Sequence, residues 1–191
     1  MRENKRNNLK VILINGSPHE RGNTAHALSD IAEVLHEEEI ETTVFWVGSQ
    51  LVHGCIDCSR CHDNHRCVFN EDITNSVLDE IEKSDGLIIG SPTYFGNASG
   101  TLRCILDRMF HAGNRFAHKP AAAITVSRRA GNVCALYEIY RYFTVSEMPI
   151  VTSTNWPVEF GNKPGETEQD LEGIFTEKRL AANMAWLVKC I

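Results

Sequence analysis

The chain has 191 residues, of which 42% are hydrophobic and 23% charged, and its formal net charge is −6. This length suits one domain with a buried core, and the acidic balance argues against a nucleic-acid-binding protein, which needs a basic surface. No apolar run approaches the roughly 20 residues that cross a bilayer, and the polar N-terminus lacks the apolar stretch of a signal peptide. We therefore expect a cytoplasmic protein with no membrane and no nucleic-acid partner.

Five strands and five helices are predicted to alternate along the chain. Short apolar runs predict strands at residues 11–15, 42–47, 87–90, 121–127 and 148–155. Apolar residues at three- and four-residue spacing predict helices at 22–39, 71–83, 98–113, 131–146 and 168–190. The segment 156–166, rich in Gly and Pro, is predicted to be a connection. The alternation indicates a single α/β domain over residues 1–191 with a parallel sheet, and a cysteine-rich loop inserted at about 52–70.

The loop after the first strand has the composition of an anion site. Ligands of a parallel sheet bind beyond the carboxyl ends of its strands. There Ser17, Asn23 and Thr24 can each donate a hydrogen bond to phosphate, and a helix begins beside them. Neither the nucleoside-triphosphatase loop nor the dinucleotide fingerprint is present in the sequence. In the structural alternative, Asn23 or Thr24 only caps the helix.

Four segments of the chain carry a family resemblance: GSPHERGNT, GSPTYFGNASGTLRCILDRM, SRRAGN and NMAWLVKCI. They resemble the flavodoxin-like NAD(P)H-dependent FMN reductases, and within these the quinone-reductase-like branch and the iron–sulfur flavoproteins. The resemblance implies a flavodoxin-like three-layer sandwich, a five-stranded parallel sheet of order 2-1-3-4-5, one FMN per subunit, and a homodimer or homotetramer. It implies that the phosphate is bound by Ser17, Arg21, Asn23 and Thr24. It also implies that nine residues surround the isoalloxazine ring: Pro92, Thr93, Tyr94, Phe95, Gly96, Asn97, Ser127, Arg128 and Gly131.

The residues of the second loop support a flavin site independently of the resemblance. A flavin needs flat apolar surface beside its ring and N–H donors at its polar edge. Tyr94 and Phe95, between the turn-forming Pro92 and Gly96, offer both. The alternative is that these aromatic side chains belong to the core or to an oligomer contact. Arg128 either approaches the N1/O2 edge of the flavin or lies in a solvated turn.

The stretch GCIDCSRCHDNHRC contains four cysteines in C-x2-C-x2-C-x5-C spacing: Cys55, Cys58, Cys61 and Cys67. Disulfides are disfavoured because the expected compartment is reducing and the loop is too short for two unstrained bridges. Zinc can take four ligands from the cysteines and from His62 or His65. The spacing is closer to the C-x2-C-x2-C run of loops that bind iron–sulfur clusters.

The resemblance assigns these four cysteines as the ligands of a [4Fe–4S] cluster. Similar cysteine-rich loops also occur in FMN reductases without a cluster, so a cysteine-rich flap beside the flavin remains the alternative. The two histidines are predicted to be exposed loop residues. The other three cysteines, Cys104, Cys134 and Cys190, lie in predicted helices and are expected to be small buried residues.

These features predict an FMN-containing oxidoreductase in which no side chain acts as a nucleophile. The donor is expected to be NAD(P)H or a reduced electron carrier, and the acceptor a small molecule or a protein. The first hypothesis is an electron-transfer flavoprotein with FMN and a [4Fe–4S] cluster. The alternatives are a cluster-free NAD(P)H-dependent FMN, quinone, nitro or azo reductase, and a non-enzymatic, zinc-stabilised interaction module.

Overall fold

A computed structural model describes residues 8–112 and 116–191. The polar N-terminal residues 1–7 and Gly113, the last residue of the predicted third helix, lie outside this described part. Within the described part, no helix is both long and apolar enough to cross a membrane.

The sheet contains six strands: β1 (Leu9–Asn15), β2 (Ile40–Trp46), β3 (Gly86–Tyr94), β4 (Asn97–Ala98), β5 (Ala121–Ser127) and β6 (Val158–Phe160). Five are parallel neighbours in the order β2-β1-β3-β5-β6. The short strand β4 pairs antiparallel with the end of β3. The prediction of a flavodoxin-like α/β class with a parallel sheet is therefore confirmed. The prediction of five strands in the order 2-1-3-4-5 is only partly correct, because the sheet also contains the short antiparallel strand β4.

The described residues form six α-helices: α1 (Asn23–Glu37), α2 (Cys61–Asn64), α3 (Thr74–Ile81), α4 (Gly100–Ala112), α5 (Asn132–Val145) and α6 (Leu171–Cys190). Helices α1 and α6 pack on one face, around Leu28, Ile31 and Met184. Helices α3, α4 and α5 pack on the other face, where Leu102 and Phe143 are fully buried. The central strands are apolar on both sides because helices cover both faces of the sheet.

The prediction of a fifth strand at 148–155 is wrong. Only the start of this segment joins the sheet, through an isolated bridge between Ile150 and Ala121. The chain then turns to helix α6, where Asn183 donates to the Thr152 carbonyl at 2.7 Å and Ser153 donates to the Thr176 carbonyl at 2.6 Å. It returns to β5 only at β6, inside the segment that was predicted to be a connection.

Two buried glutamates face each other between β6 and α6. Glu159 and Glu177 have almost no solvent exposure, and their carboxyl groups interact with each other. Burial raises the pKa of Glu159 to about 8, and the nearby charges of Asp170 and Asp30 act in the same direction. Burial, followed by the charge of Glu159, raises the pKa of Glu177 as well. The native protein therefore binds protons at this pair that the unfolded chain releases.

We expect the free energy of unfolding to fall as the pH rises from about 5 to about 8. The unfolded carboxyl group ionises near its ordinary pKa of about 4.5, whereas folded Glu159 keeps its proton up to about 8, and each pKa unit corresponds to about 1.4 kcal/mol. The substitution Glu177→Gln, which removes one ionisable partner, should flatten this slope in urea unfolding measured across pH. The exposed Glu33→Gln should keep the wild-type slope, and an unchanged slope in Glu177→Gln would contradict the account.

Candidate functional site

Three of the loops predicted to bind a flavin meet at the carboxyl edge of the sheet. Gly16, directly after β1, donates its N–H to the Gly90 carbonyl of β3 at 2.8 Å. A Cβ added to Gly131, in the loop after β5, would lie 3.1 Å from the Cα of Gly96 in the β3–β4 turn. Gly131 also has a φ of +88°, which glycine adopts at low cost. The close approach of these backbones requires glycine and brings the predicted loops together.

The loop after β1 is held by its own polar groups and by β2. The buried Ser17 donates its N–H to Asn15 Oδ1 at 3.0 Å. Its carbonyl accepts a 2.7 Å hydrogen bond from the indole Nε1 of Trp46, the last residue of β2. Arg21 is exposed in this loop and Thr24 is buried in the first turn of α1. The loop is therefore anchored at its base, and it carries the exposed Arg21 close to the start of α1.

The N-terminus of α1 has the properties of an anion site. Its cap residue is Gly22, and no side chain in the described part of the chain caps this helix end. The first N–H groups of the helix are therefore available to an anion, which the helix dipole favours. Ser17 and Arg21 lie within a few residues of this end.

Asn23 makes contacts in this structure that the sequence did not predict. Its Nδ2 donates to the Lys163 carbonyl at 3.0 Å, and its Oδ1 accepts from the N–H of Gly165 at 2.8 Å. Asn23 thus anchors a fourth loop, residues 161–165, which sequence reasoning treated as a connection. The loop is also joined to β5 because Gly161 donates to the Ser127 carbonyl at 2.9 Å. A role of the Asn23 amide in phosphate binding would require it to leave these partners.

The β3–β4 hairpin presents an aromatic side chain at its tip. Phe95 and Gly96 both have positive φ, +53° and +78°, as a tight two-residue hairpin turn requires. Phe95 is fully exposed and Tyr94 is 43% exposed, so neither belongs to the core of the chain. Glu138 of α5, which sequence reasoning missed, supports the hairpin by accepting the N–H of Ala98 at 2.7 Å.

Several buried polar atoms at this edge lack a partner among the described residues. They are the hydroxyl oxygens of Thr93 and Ser127 and the amide Nδ2 of Asn132. An unpaired buried polar group costs free energy, so these atoms suit a bound molecule with polar edges such as a flavin. Pro92 is half-buried beside them, whereas Asn97 and Arg128 are exposed at the rim.

The four cysteines of the 52–70 loop line one small cavity of about 20 Å³. Cys61 is buried, Cys67 is half-buried, and Cys55 and Cys58 are exposed. The left-handed residues Asp57 and Ser59 on either side of Cys58 turn the loop back on itself. All seven cysteines of the chain lie in the described part, and none forms a disulfide there.

The thiol groups in this cavity are close enough to affect one another. Burial raises the pKa of the Cys61 thiol, and the charges of Cys55, Cys58 and Cys67 raise it further. Four thiolates therefore repel one another here unless a cation or a cationic cluster core lies between them. The chemistry of the donor set fits a metal centre.

Arg108 of α4, which sequence reasoning missed, organises the wall of this cavity. It is 2% exposed and pairs with the buried carboxylate of Asp72. Its Nε donates to Cys67 Sγ at 3.1 Å, and its remaining hydrogen bonds reach the carbonyls of His53 and Phe69 at 3.2 and 3.1 Å. Burial alone would lower the pKa of Arg108, but the bonds to Asp72 and Cys67 outweigh it and raise that pKa.

The aromatic ring of Phe69 packs between two partners of the same wall. The guanidinium carbon of Arg108 lies 5.3 Å from the centroid of the Phe69 ring, and the ring of His53 stacks on Phe69 at 4.3 Å. Arginine favours such a site because its planar group binds aromatic faces and several acceptors together.

Asn75 of α3 fixes the backbone of Cys67. Its Oδ1 accepts the Cys67 N–H at 2.9 Å, and its Nδ2 donates to the Cys67 carbonyl at 3.0 Å. Asn75 is 4% exposed, and it also donates to the Phe69 carbonyl at 3.2 Å. The last cysteine of the loop is therefore placed by two buried residues of the domain rather than by the loop itself.

His62 and His111 stand at the mouth of the cavity. Their rings lie 5.4 Å apart, and their nitrogens form a group with Cys61 Sγ in which all ligand atoms are within 4.8 Å of one another. His62 is exposed as predicted, whereas His65 is half-buried beside the Ala112 carbonyl. The zinc alternative thus retains a possible ligand set.

The expectation that the three remaining cysteines are buried is wrong. Cys134 and Cys190 are exposed, and Cys104 is only half-buried. Cys104 faces the loop, because a Cβ added to Gly54 would lie 4.0 Å from its Sγ. The exposed positions fall on the outer faces of α5 and α6, where helical periodicity alone does not distinguish a small apolar residue from a core residue.

The doubly wound sheet and the loops at its carboxyl edge define a flavodoxin-like protein. A profile of the NADPH-dependent FMN reductase family matches residues 9–163. The chain belongs to this family, and the membership supports FMN as the cofactor and oxidoreduction as the activity.

Curated relatives resemble the chain over nearly its whole length, and a solved structure shares its fold. An iron–sulfur flavoprotein of Methanocaldococcus jannaschii is 30% identical over 192 residues, which cover 96% of this chain and 99% of that protein. An iron–sulfur flavoprotein of Methanosarcina thermophila is 26% identical over 189 residues, covering 96% and 97%. The crystal structure of RosB with a bound riboflavin-phosphate intermediate superposes with a TM-score of 0.73 at 16% identity, covering 95% of this chain and 79% of RosB.

The packing of Gly131 on Gly96 can be tested by stability. We expect Gly131→Ala to lower the free energy of unfolding by about 2 kcal/mol or more, because it adds a steric clash to a left-handed backbone. Gly96→Ala, which meets no atom within 4 Å, should cost only about 1 kcal/mol for its positive φ. Gly100→Ala has open space and no positive φ and serves as the control. Equal losses at positions 131 and 96 in urea unfolding would contradict this packing.

Proposed function

We propose that this protein is an iron–sulfur flavoprotein that passes electrons between a reduced donor, FMN and a [4Fe–4S] cluster. The observation that carries the proposal is the convergence of four cysteines on one cavity in a chain of the FMN reductase family. The names of the two archaeal relatives, which span nearly the same length, support it.

The phosphate of FMN would be bound at the start of α1. Ser17, Arg21 and Thr24 are the candidate side-chain ligands, together with the N–H groups that no side chain in the described part of the chain caps. Arg21 would supply the charge, since it is exposed and extends from a loop whose base is fixed. Asn23 would contribute by holding the 161–165 loop against this end.

The isoalloxazine ring would lie beside the β3–β4 hairpin and the loop after β5. Phe95 and Tyr94 offer apolar surface, and the unpaired hydroxyls of Thr93 and Ser127 offer hydrogen bonds to the polar edge. Arg128 would approach from the rim, and the contact between the backbones of Gly96 and Gly131 would hold the two loops together beside the ring. A bound FMN supplies hydride and single-electron transfer chemistry that no side chain can provide.

The cluster would be bound by Cys55, Cys58, Cys61 and Cys67. Helix α4 connects the two candidate sites, because it begins at Gly100 after the hairpin and reaches the cysteine cavity at Arg108. These two residues are about 12 Å apart along the helix at 1.5 Å per residue. A centre of each kind in one chain would let a two-electron donor serve a one-electron acceptor.

The donor would be NAD(P)H or a reduced electron carrier, and the acceptor a small molecule or a protein. The family name supports a nicotinamide donor. A homodimer or homotetramer in the cytoplasm completes the proposal, and exposed apolar residues such as Phe95 and Trp186 support such contacts.

We expect anaerobically reconstituted protein to contain FMN and about four irons with matching acid-labile sulfide per chain. The substitution Cys61→Ser should abolish the iron and the electron paramagnetic resonance of the reduced cluster, because it removes the most buried ligand, while FMN absorbance near 450 nm persists. Cys134→Ser, at an exposed position outside the cavity, is the matched control and should retain both cofactors.

Other outcomes of the same measurement identify the alternatives. Flavin without iron, together with rapid NAD(P)H-dependent reduction of quinone, nitro or azo compounds, would establish a cluster-free reductase. Zinc without flavin would establish the non-enzymatic module, with Cys61, His62 and His111 as candidate ligands.

A further inference from the structure

We propose that Arg108 is a positioning residue that sets the reduction potential of the cluster through its hydrogen bond to Cys67, and that Asp72 opposes it. The inference rests on the proposed cluster. It concerns two residues of the domain that are not themselves ligands.

Arg108 is suited to this role because its position is fixed by more than one bond. It pairs with Asp72 and donates to the carbonyls of His53 and Phe69, so its Nε has little freedom to leave Cys67 Sγ, 3.1 Å away. Its cationic guanidinium donates directly to a cysteine of the cavity. The bond lies where water has little access, since the Arg108 side chain is 1% exposed.

A hydrogen bond to a ligand sulfur raises the reduction potential of a cluster. One-electron reduction adds one negative charge to the cluster and its thiolates, so a donor at the sulfur stabilises the reduced form more than the oxidised form. The electrostatic effect is large in a buried setting because the effective dielectric constant is low. A fixed guanidinium at Cys67 therefore makes the cluster a better electron acceptor.

Asp72 has two opposing consequences for the same centre. Its carboxylate, 5% exposed, holds Arg108 in place through the ion pair. Its negative charge also partly cancels the field of the guanidinium at the cysteines, which lowers the potential. The Thr74 N–H donates to Asp72 Oδ1 at 3.0 Å, so the carboxylate is fixed from the α3 side as well. The reduction potential of the cluster is therefore set by two opposing effects: the hydrogen bond from Arg108 raises it, and the negative charge of Asp72 lowers it.

The experiment is a potentiometric titration of anaerobically reconstituted holoprotein, with the reduced cluster monitored by electron paramagnetic resonance. Arg108→Lys keeps a cation beside Asp72 but cannot retain every bond of the guanidinium. We expect it to shift the equilibrium for one-electron reduction about tenfold towards the oxidised form, a potential lower by ~59 mV. Asp72→Asn keeps the shape of the side chain and removes its negative charge, so the reduction potential of the cluster should rise in this variant.

The matched control is Arg66→Lys. Arg66 precedes Cys67 in the chain, but its side chain is 43% exposed and pairs with Asp79. The reduction potential of the cluster in Arg66→Lys should therefore equal that of the wild-type protein. A purely structural role of Arg108 would change the cluster content without producing opposite shifts in Arg108→Lys and Asp72→Asn.

The possible outcomes test the inference and the proposed function separately. Iron-loaded Arg108→Lys with a wild-type potential, or with a shift equal to that of Arg66→Lys, would overturn the inference and leave the cluster intact. If Arg108→Lys takes up no iron, a wild-type or lower potential in Asp72→Asn would overturn it. Wild-type protein without iron would overturn the proposed function itself, and the inference with it.

Discussion

The buried ion pair between Arg108 and Asp72 is the interaction on which the cysteine loop depends. The loop contains few apolar side chains of its own, and its first cysteines are exposed. Its shape therefore comes from polar contacts with the domain, and Arg108 supplies bonds to the loop at His53, Cys67 and Phe69. Breaking such a buried pair by removing one partner typically costs about 3–5 kcal/mol, because an uncompensated charge remains.

The candidate flavin site is positioned by the parallel sheet rather than by a buried ion pair. Loops that follow neighbouring strands emerge at one edge, so residues far apart in the chain, such as Gly16, Gly96 and Gly131, come together without contacts designed for each pair. Helix α4 then links this edge to the cysteine cavity within one rigid element. The two candidate centres are therefore positioned by the core on one face of the sheet, where Leu102 and Leu106 are fully buried.

Sequence reasoning found the features that periodicity and local composition determine. The first four strands, the helical segments and the loops at residues 16–24 and 91–97 follow from apolar spacing and turn residues, and so does the grouping of the cysteines. The helix predicted at 71–83 begins later, at Thr74, because Asp72 accepts the Thr74 N–H and thus ends the loop there. The one-turn helix at Cys61–Asn64 is too short to give a periodic signal.

What sequence reasoning missed depends on contacts between distant residues. Strand β6 has three residues beside Gly and Pro, and only its pairing with β5 makes it a strand. Arg108 and Asn75 occupy ordinary positions in amphipathic helices, and nothing local shows that their side chains are buried against the cysteine loop. The burial of Glu159 and Glu177 is equally invisible in the sequence, since a glutamate in a strand or a helix is usually at the surface.

The central claim is that a metal cluster occupies the cavity of the four cysteines in a flavin-containing chain. The most direct measurement is anomalous diffraction at the iron absorption edge from crystals of anaerobically reconstituted protein. The account predicts density for four irons beside Arg108, each about 2.3 Å from the sulfur of a different one of Cys55, Cys58, Cys61 and Cys67, with flavin density at the β3–β4 hairpin. An empty cavity, or a single zinc ion bound by Cys61, His62 and His111, would contradict it.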